Sequence, residues 1–495
     1  MTALAAFEDI IDASGTAARI EAMLPAGVRR RQLSARALLA GMCLTQADGR
    51  PAHLTRIRQA LASLPEDDQR RLGVIGNWKC GPRRLTYRQA ERTFGLVADA
   101  PGKDEPDGMP SGWLRRICDG LLEASVPDQF KEASSSLAVD WSDLGSFSRP
   151  PPHGTSGRAD PEASWGHRKN NLPHDEDELF FGHYLPAAIT AGDEQGPSVP
   201  ELARRMTLSS CRHDPVPAFA PVLTAMPQDG IPLGDVLADS GYSHRIPQHW
   251  ASPLRAAGAA LVQDLHPHDR GPRGTHAGAV IANGNLYCPA TPRKPLELGP
   301  LARTATLEQA AQHDAKTAET ARCKLGRIAA DDADGYHRVQ CPAAIGKVRC
   351  PLRPSSMTLD RDRPEILTPP EHPQVCCTQQ TVTVPPDVNA KTRQKHDYPS
   401  AAWRRSYARR SGAERGFATA KDPAANDISR GWCRLMGLAP LMLFTVALLA
   451  VRNQRILAAW NTRQEENQRR AAKGLPPKTR KRRRKTLAGL AAGPP

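Results

Sequence analysis

Apolar residues recur at three- and four-residue steps through the opening hundred positions of the chain. Arg31–Cys43 (RQLSARALLAGMC), His53–Leu64 and Thr86–Val97 each gather them on one face, the period of an amphipathic helix. Met1–Ala13 reads as a shorter helix carrying Glu8 and Asp9. The pattern predicts an α-helical N-terminal domain over residues 1–98. Asp99–Gly112 breaks the period with Pro and Gly, so it reads as a linker. One further helix, Trp113–Ala124, completes residues 99–130.

From residue 131 the period changes. Leu137–Asp140 (LAVD) is a short apolar run ending in a carboxylate, and Phe180–Thr190 and Glu201–Ser209 also read as strands. Val216–Met226 reads as a helix, Gly234–Asp239 as a strand ending in Asp, Ile246–Ala257 as a helix and Ala259–Asp264 as another strand. Strands alternating with helices predict an α/β core over 131–265. Between Asp239 and Glu414 lie 174 residues, too many for a loop, so 266–400 reads as an insertion. It is β-rich: Val280–Cys288 folds around Asn283–Gly284, which suits a type I′ hairpin turn. Tyr336–Cys341, Lys347–Cys350 and Thr381–Val384 read as short strands and Leu307–Leu325 as a helix. Residues 401–460 would complete the core, with Trp432–Ile456 packed across the sheet. Its apolar run, Leu435–Val451, has 17 residues and includes Pro440. That is short of the roughly 20 needed to span a membrane, so a buried helix is expected and no membrane partner.

Charge changes the picture next. The formal net charge is +15, which points to a polyanionic partner. It is uneven: residues 461–495 hold eleven Lys/Arg against two Glu, and residues 391–421 nine against two acids. The block Lys478–Lys485 (KTRKRRRK) cannot bury itself, so 461–495 reads as a disordered basic tail. The cysteines number eleven, an odd count, and Met1–Ala13 has no secretory pattern. Together these point to unpaired thiols and a reducing cytoplasm. Six cysteines fall in the insertion. Cys288, Cys341 and Cys350 each precede Pro, Cys323 sits in a helical stretch, and Cys376 adjoins Cys377. Four thiolates suffice for tetrahedral zinc. The missing CxxC pair favours reduced, buried thiols instead.

Candidate chemistry centres on Tyr407, Arg410, Glu414 and Lys421, at offsets 0, 3, 7 and 14. On one α-helix these share a face, aligning a carboxylate with two cations and a phenol, an arrangement suited to phosphates held around a metal. Two upstream strands end in acids, Asp140 and Asp239, with Asp143 as the fallback for the first. Trp403 lies one turn before Tyr407 and is expected to pack rather than to stack on a base. No Ser/His or Cys/His arrangement suggests a side-chain nucleophile.

The spacing Tyr-(2)-Arg-(3)-Glu-(6)-Lys, together with Ala238–Tyr242 (ADSGY), resembles the DDE transposases of bacterial insertion-sequence family four. Ser240 stands where family members often carry a basic residue. The resemblance implies a ribonuclease-H-like catalytic core interrupted by the β-rich insertion. Asp140, Asp239 and Glu414 would be the catalytic ligands of two Mg²⁺ ions, with Mn²⁺ as a substitute. Tyr407, Arg410 and Lys421 would contact DNA, and the N-terminal domain would recognise the element's ends. The implied partners are double-stranded DNA and a second copy of the chain in the synaptic complex. The implied reaction is cutting and joining of phosphodiester bonds. A catalytically inactive remnant that only binds DNA is the alternative.

Overall fold

The computed structural model describes residues 2–25, 31–78, 81–102, 108–152, 159–168, 178–302, 304–422, 428 and 430–478. Arg29, Arg30, residues 103–107 of the expected linker and the basic block beyond Lys478 lie outside the described residues. The N-terminal region is helical as expected: α1 (Ala3–Ser14), α2 (Thr16–Met23), α3 (Ala35–Ala47), α4 (Leu54–Ala62), α5 (Glu66–Arg71), α6 (Tyr87–Asp99), α7 (Gly112–Ala124) and α8 (Asp128–Ala133). Their starts are written in the sequence. Thr2, Ser34 and Ser111 each accept a backbone N–H at a helix N-terminus, and Thr86 with Gln89 forms a capping box. A two-stranded hairpin, β1 (Ile75–Trp78) and β2 (Gly81–Arg84), interrupts these helices where periodicity suggested none.

The central sheet comprises β3 (Leu137–Gly145), β4 (Ser164–Arg168), β5 (Glu178–Thr190), β6 (Ala203–Met206), β7 (Ser209–Ser210), β8 (Asp235–Ala238) and β9 (Ala260–Gln263). Its order is β4–β5–β3–β8–β9, with β6 and β7 also paired to β5. The β3–β5 pair is antiparallel, whereas β8 and β9 run parallel to β3. Helices α9 (Pro215–Thr224) and α11 (Ala251–Ala256) cover one face, burying Phe219, Leu223, Trp250 and Leu254 with Leu137, Val139 and Val236. Between β8 and α11 lie one turn of helix, α10 (Ser240–Ser243), and a 3₁₀ turn, Pro247–His249, so the expected helix Ile246–Ala257 is shorter, confined to α11. The chain is thus mixed α/β.

The other face is covered by α16 (Ser411–Ala420) and α17 (Leu438–Ala471). Helix α17 differs from expectation in two ways. It continues to Ala471, so residues 461–471 are helical rather than tail. It also packs on α3, α6 and α7 as well as on β6 and α16. One apolar core therefore runs from Phe7 and Leu38 through Phe444 and Leu448 to Ala138 and Leu185. Phe444 meets Phe94 with ring centroids 5.7 Å apart. A boundary at residue 98 does not separate two cores, because the apolar side of α17 is too wide for the sheet alone and the N-terminal helices bury the remainder. By length and composition α17 is apolar enough to cross a membrane, yet its apolar half is buried in protein. Buried Asn453 pins it by bonding the backbone of Ala203 and the hydroxyl of Ser125.

The insertion forms two small sheets. The first has β10 (Pro272–His276), β11 (Ala279–Ala282) and β12 (Asn285–Tyr287); the second has β13 (Gly326–Arg327), β14 (His337–Gln340) and β15 (Val382–Val384). The expected hairpin is present, with Asn283 and Gly284 both at positive φ, 48° and 85°. Helices α12 (Arg293–Leu296), α13 (Leu307–Arg322) and α14 (Val375–Thr378) lie around the sheets. Lys347–Cys350 is not a strand; Arg349 makes only an isolated bridge to Glu365. The insertion returns along the sheet's edge, where Lys395 N–H donates to Leu261 and Gln263 N–H to Gln394 Oε1, both 2.9 Å. It then feeds α15 (Ala401–Tyr407).

Because α17 unites the two regions, Phe444→Ala is expected to cost about 3–5 kcal/mol. Hydrogen exchange should speed up in α3, α6 and β6 together. Acceleration confined to α17 would show that the regions are uncoupled.

Candidate active site

Strands β3 and β8 pair only at Leu137–Val236 and Ala138–Leu237. Continuing that register places Asp140 opposite Asp239, where β8 has ended and the strands part. A crevice at the carboxyl ends of parallel strands is the usual place for a site on an open sheet. Strand alternation turns Asp140 to the side of Ala138 and Leu144, which lies beneath α16. Asp143, three residues on, falls to the opposite side.

Asp239 is the N-cap of α10 and accepts the N–H of Gly241 at 2.9 Å. Glycine is required there, since a Cβ would run into the Trp141 ring. Trp141 in turn meets Tyr242 edge-on at 4.8 Å, and Tyr242 packs on Trp250 at 4.6 Å. This aromatic stack holds both aspartate-bearing segments from below.

The expected single helix through the signature is broken. Helix α15 ends at Tyr407, a 3₁₀ turn spans Ala408–Arg410, and α16 begins at Ser411. Arg410 and Glu414 stand four residues apart across this junction and share a face. The buried guanidinium of Arg410 donates from Nη1 to Glu414 Oε1 at 2.6 Å. Its Nη2 reaches Asp239 Oδ2 at 3.2 Å and Asp140 Oδ2 at 3.4 Å. The three acids, drawn from widely separated segments, therefore meet on one cation. Their side chains are 19%, 32% and 44% exposed for Asp140, Asp239 and Glu414, so the cluster opens from the sheet outward.

The remaining expected residues take different places. Tyr407 stacks on Trp403 at 4.8 Å and 14°, and Trp403 is buried with its indole N–H on the Gln263 carbonyl. Trp403 thus packs, as expected. Lys421 caps α16 and pairs with Asp143 at 2.8 Å. Asp143 accordingly stands outside the three-acid cluster.

Sequence reasoning missed a neighbouring group. Asp264 follows β9 and accepts from the Tyr398 hydroxyl at 2.9 Å, with Arg270 Nη2 at 3.4 Å. Its signal was available, because Ala259–Asp264 ends an apolar strand in an acid just as Leu137–Asp140 does. Beyond it, His244, His266 and Asp269 bring one ligand atom each within 4.8 Å of one another. Asp269 there already pairs with Lys391 at 2.7 Å and with His244 at 3.1 Å.

Electrostatics set Asp140 apart. Burial pushes its carboxyl up to about 6; Arg410 opposes this, while Asp239 and Glu414 reinforce it. Burial likewise raises the Tyr407 phenol. For Arg410, burial works against the charge but is outweighed by Tyr407, Asp140, Asp239 and the bond to Glu414, so the guanidinium stays charged. Three oxygen-donor side chains of this kind suit a hard divalent cation such as Mg²⁺. The guanidinium they surround stands where positive charge is wanted. Comparison with protein-family models, with curated proteins and with solved structures returned no match.

A carboxyl whose folded pKa lies above its ordinary 3.8 favours folding below 3.8 and loses that advantage as pH rises through about 6. Asp140→Asn is therefore expected to stabilise the chain at pH 8, by about 1–3 kcal/mol. The gain should shrink as pH falls from about 6 towards 3.8. Chemical denaturation at pH 8 and pH 4.5 measures it; a pH-independent difference would remove the titration argument.

Proposed function

We propose that the chain is a DDE-type DNA transposase, cutting and joining phosphodiester bonds at the ends of an insertion sequence. The observation that carries the reading is the gathering of Asp140, Asp239 and Glu414 on the Arg410 guanidinium. The strand order β5–β3–β8–β9, with the first pair antiparallel and the others parallel, supports the ribonuclease-H-like reading of the core.

Asp140, Asp239 and Glu414 would hold two Mg²⁺ ions, or Mn²⁺ in their place. When bound, such ions supply an activated water or 3′-hydroxyl and stabilise the leaving oxygen. The chain's own residues do the rest. The aromatic stack of Trp141, Tyr242 and Trp250 keeps the two aspartates in place. Arg410, four residues before Glu414, ties that acid to them. Asp140 must be deprotonated to serve as a ligand, so a bound ion would compete with its proton. Arg410 leaves its carboxylates for phosphate oxygens, and Lys421 exchanges Asp143 for the DNA backbone. Tyr407, held by Trp403, borders the same groups. Double-stranded DNA is the substrate, a second copy of the chain completes the synaptic complex, and the setting is the cytoplasm.

One observation favours the alternative, a DNA-binding protein that no longer cuts. Arg410 already compensates the acids, and a permanent internal counter-ion would keep metal out. The two readings separate on DNA carrying the inverted repeats that flank the gene. Wild type with Mg²⁺ should nick those ends, and Glu414→Ala should lower nicking at least about a hundredfold with DNA binding retained. Binding by wild type without nicking in Mg²⁺ or Mn²⁺ would leave the binding-only protein.

A further inference from the structure

Two imidazoles and a carboxylate meet where the chain leaves the core for the insertion. His244 is the C-cap of α10, the turn whose N-cap is Asp239. His266 and Asp269 come from the loop after β9. There His266 caps a 3₁₀ turn, Pro267–Asp269, and the Asp269 N–H donates to the His266 carbonyl at 2.8 Å. Residues three apart eclipse on a 3₁₀ turn, so the spacing His-x-x-Asp brings an imidazole and a carboxylate to one side. One ligand atom from each of the three residues lies within 4.8 Å of the other two. The His244 and His266 ring centroids are 4.0 Å apart.

The spacing of these atoms is that of a coordination shell. His244 Nδ1 stands 3.1 Å from Asp269 Oδ2. Two ligands of a tetrahedral ion, at bonds of about 2.0–2.1 Å, stand about 3.3 Å apart, so this pair already spans one edge. Asp269 is also held from behind, since Lys391 donates to its other oxygen, Oδ1, at 2.7 Å. A carboxylate fixed through one oxygen and turned to the imidazoles with the other has the outer support that metal-binding carboxylates show. The place is reachable, with the His244 and Asp269 side chains 43% and 15% exposed. A plain His–Asp ion pair accounts for His244 and Asp269. It gives no reason for a second imidazole, which adds like charge whenever both rings are protonated.

We propose that His244, His266 and Asp269 bind a Zn²⁺ ion, with water in the fourth position. Imidazole suits Zn²⁺ and its first-row neighbours, whereas Mg²⁺ prefers oxygen ligands. Each histidine ligates through a deprotonated ring nitrogen. His244 then gives up its bond to Asp269 Oδ2, and His266 gives up the long contact, 3.3 Å, that its Nδ1 accepts from the His268 N–H. The His268 ring, stacked on His266 at 5.0 Å and 19°, stays outside the shell. The ion ties the turn carrying Asp239 to the loop that opens the insertion. Through Lys391 it also reaches the segment by which the insertion returns. The site stands apart from the three-acid cluster and does not depend on the proposed cutting reaction.

Full-length protein, stripped with chelator, reduced and kept in excess Mg²⁺, is titrated with Co²⁺ as a visible stand-in for zinc. Tetrahedral visible bands saturating at about one Co²⁺ per chain are expected. Cobalt also separates this trio from the buried insertion cysteines Cys288, Cys341, Cys350, Cys376 and Cys377, whose thiolates would add intense sulfur-to-cobalt absorption. His266→Ala and Asp269→Ala should each weaken binding more than about a hundredfold, beyond the cost of losing an outer-shell partner. His268→Ala, whose ring is exposed and outside the trio, should bind as wild type does. Because a variant can lose metal by misfolding, hydrogen exchange on wild type is the second measurement. Zn²⁺ should slow exchange in Gly241–Arg245 and Leu265–Arg270 together. Visible bands unchanged in His266→Ala, thiolate absorption in their place, or no protection of those two segments by Zn²⁺ would overturn the proposal.

Discussion

Everything at the site turns on the Arg410 guanidinium. Three carboxylates and one guanidinium sum to −2 when all are ionised. Such a cluster beneath a helix is costly, because desolvation penalises each charge and the acids repel one another. Arg410 offsets part of this and still leaves a deficit, which Asp140 relieves by binding its proton more tightly. The deficit is the chemical content of the site. It amounts to the charge of one divalent cation, and it is concentrated where two parallel strands separate. A solvated basic helix with a single acid would have no reason to collect Asp239 and Asp140 on Arg410 from 171 and 270 residues away.

Holding that arrangement is the task of the frame. Helix α17 joins the N-terminal helices to the sheet in one core, and α16 lies on the sheet above the crevice. Gly416 lets α16 come close, since a Cβ there would sit 3.2 Å from Ile189. The insertion reinforces the same place from the other edge. Lys395 pairs with Asp235 at the start of β8, Arg409 reaches the same carboxylate at 2.7 Å, and Arg255 bonds the carbonyl of Arg393. The chain segment delivering the signature is therefore tied to the strand that delivers Asp239.

These facts explain what was legible beforehand. The three acids could be read from local pattern: Asp140 closes an apolar run, although β3 continues beyond it to Gly145, Asp239 follows β8, and Glu414 lies at a helical offset from Tyr407. The strands around Asp140 and Asp239 and the Asn283–Gly284 turn were readable for the same reason. Glu414 shares Arg410's face by helical spacing, but the contacts of Arg410 with Asp140 and Asp239 were not legible, because those are set by the sheet register. Lys421 was placed on the face of Glu414, yet it meets Asp143. The domain boundary at residue 98 failed because a periodic pattern shows that a helix has an apolar face but not which surface covers it. The β1–β2 hairpin, four residues a side, was too short to register against the surrounding helices.

The same logic revises the charge count. Residues 391–421 carry nine cations against two acids in sequence, but their partners come from elsewhere in the chain. Lys391 pairs with Asp269, Arg404 with Asp314, Arg409 with Asp235, Arg415 with Glu201 and Lys421 with Asp143. The segment is therefore nearer to neutral than its composition suggests. A polyanion approaching it has to exchange existing pairs, and the cost of exchange differs among them. Arg415 is 49% exposed, and surface pairs of that kind contribute only about 0–1 kcal/mol. Lys421, at 36%, is also within reach of solvent. Arg410, at 9%, is the buried member of its pairs, so its departure leaves three clustered carboxylates uncompensated unless something else takes its place. Phosphate would thus take Arg415 and Lys421 first, and would take Arg410 only when a cation occupies the carboxylates it gives up.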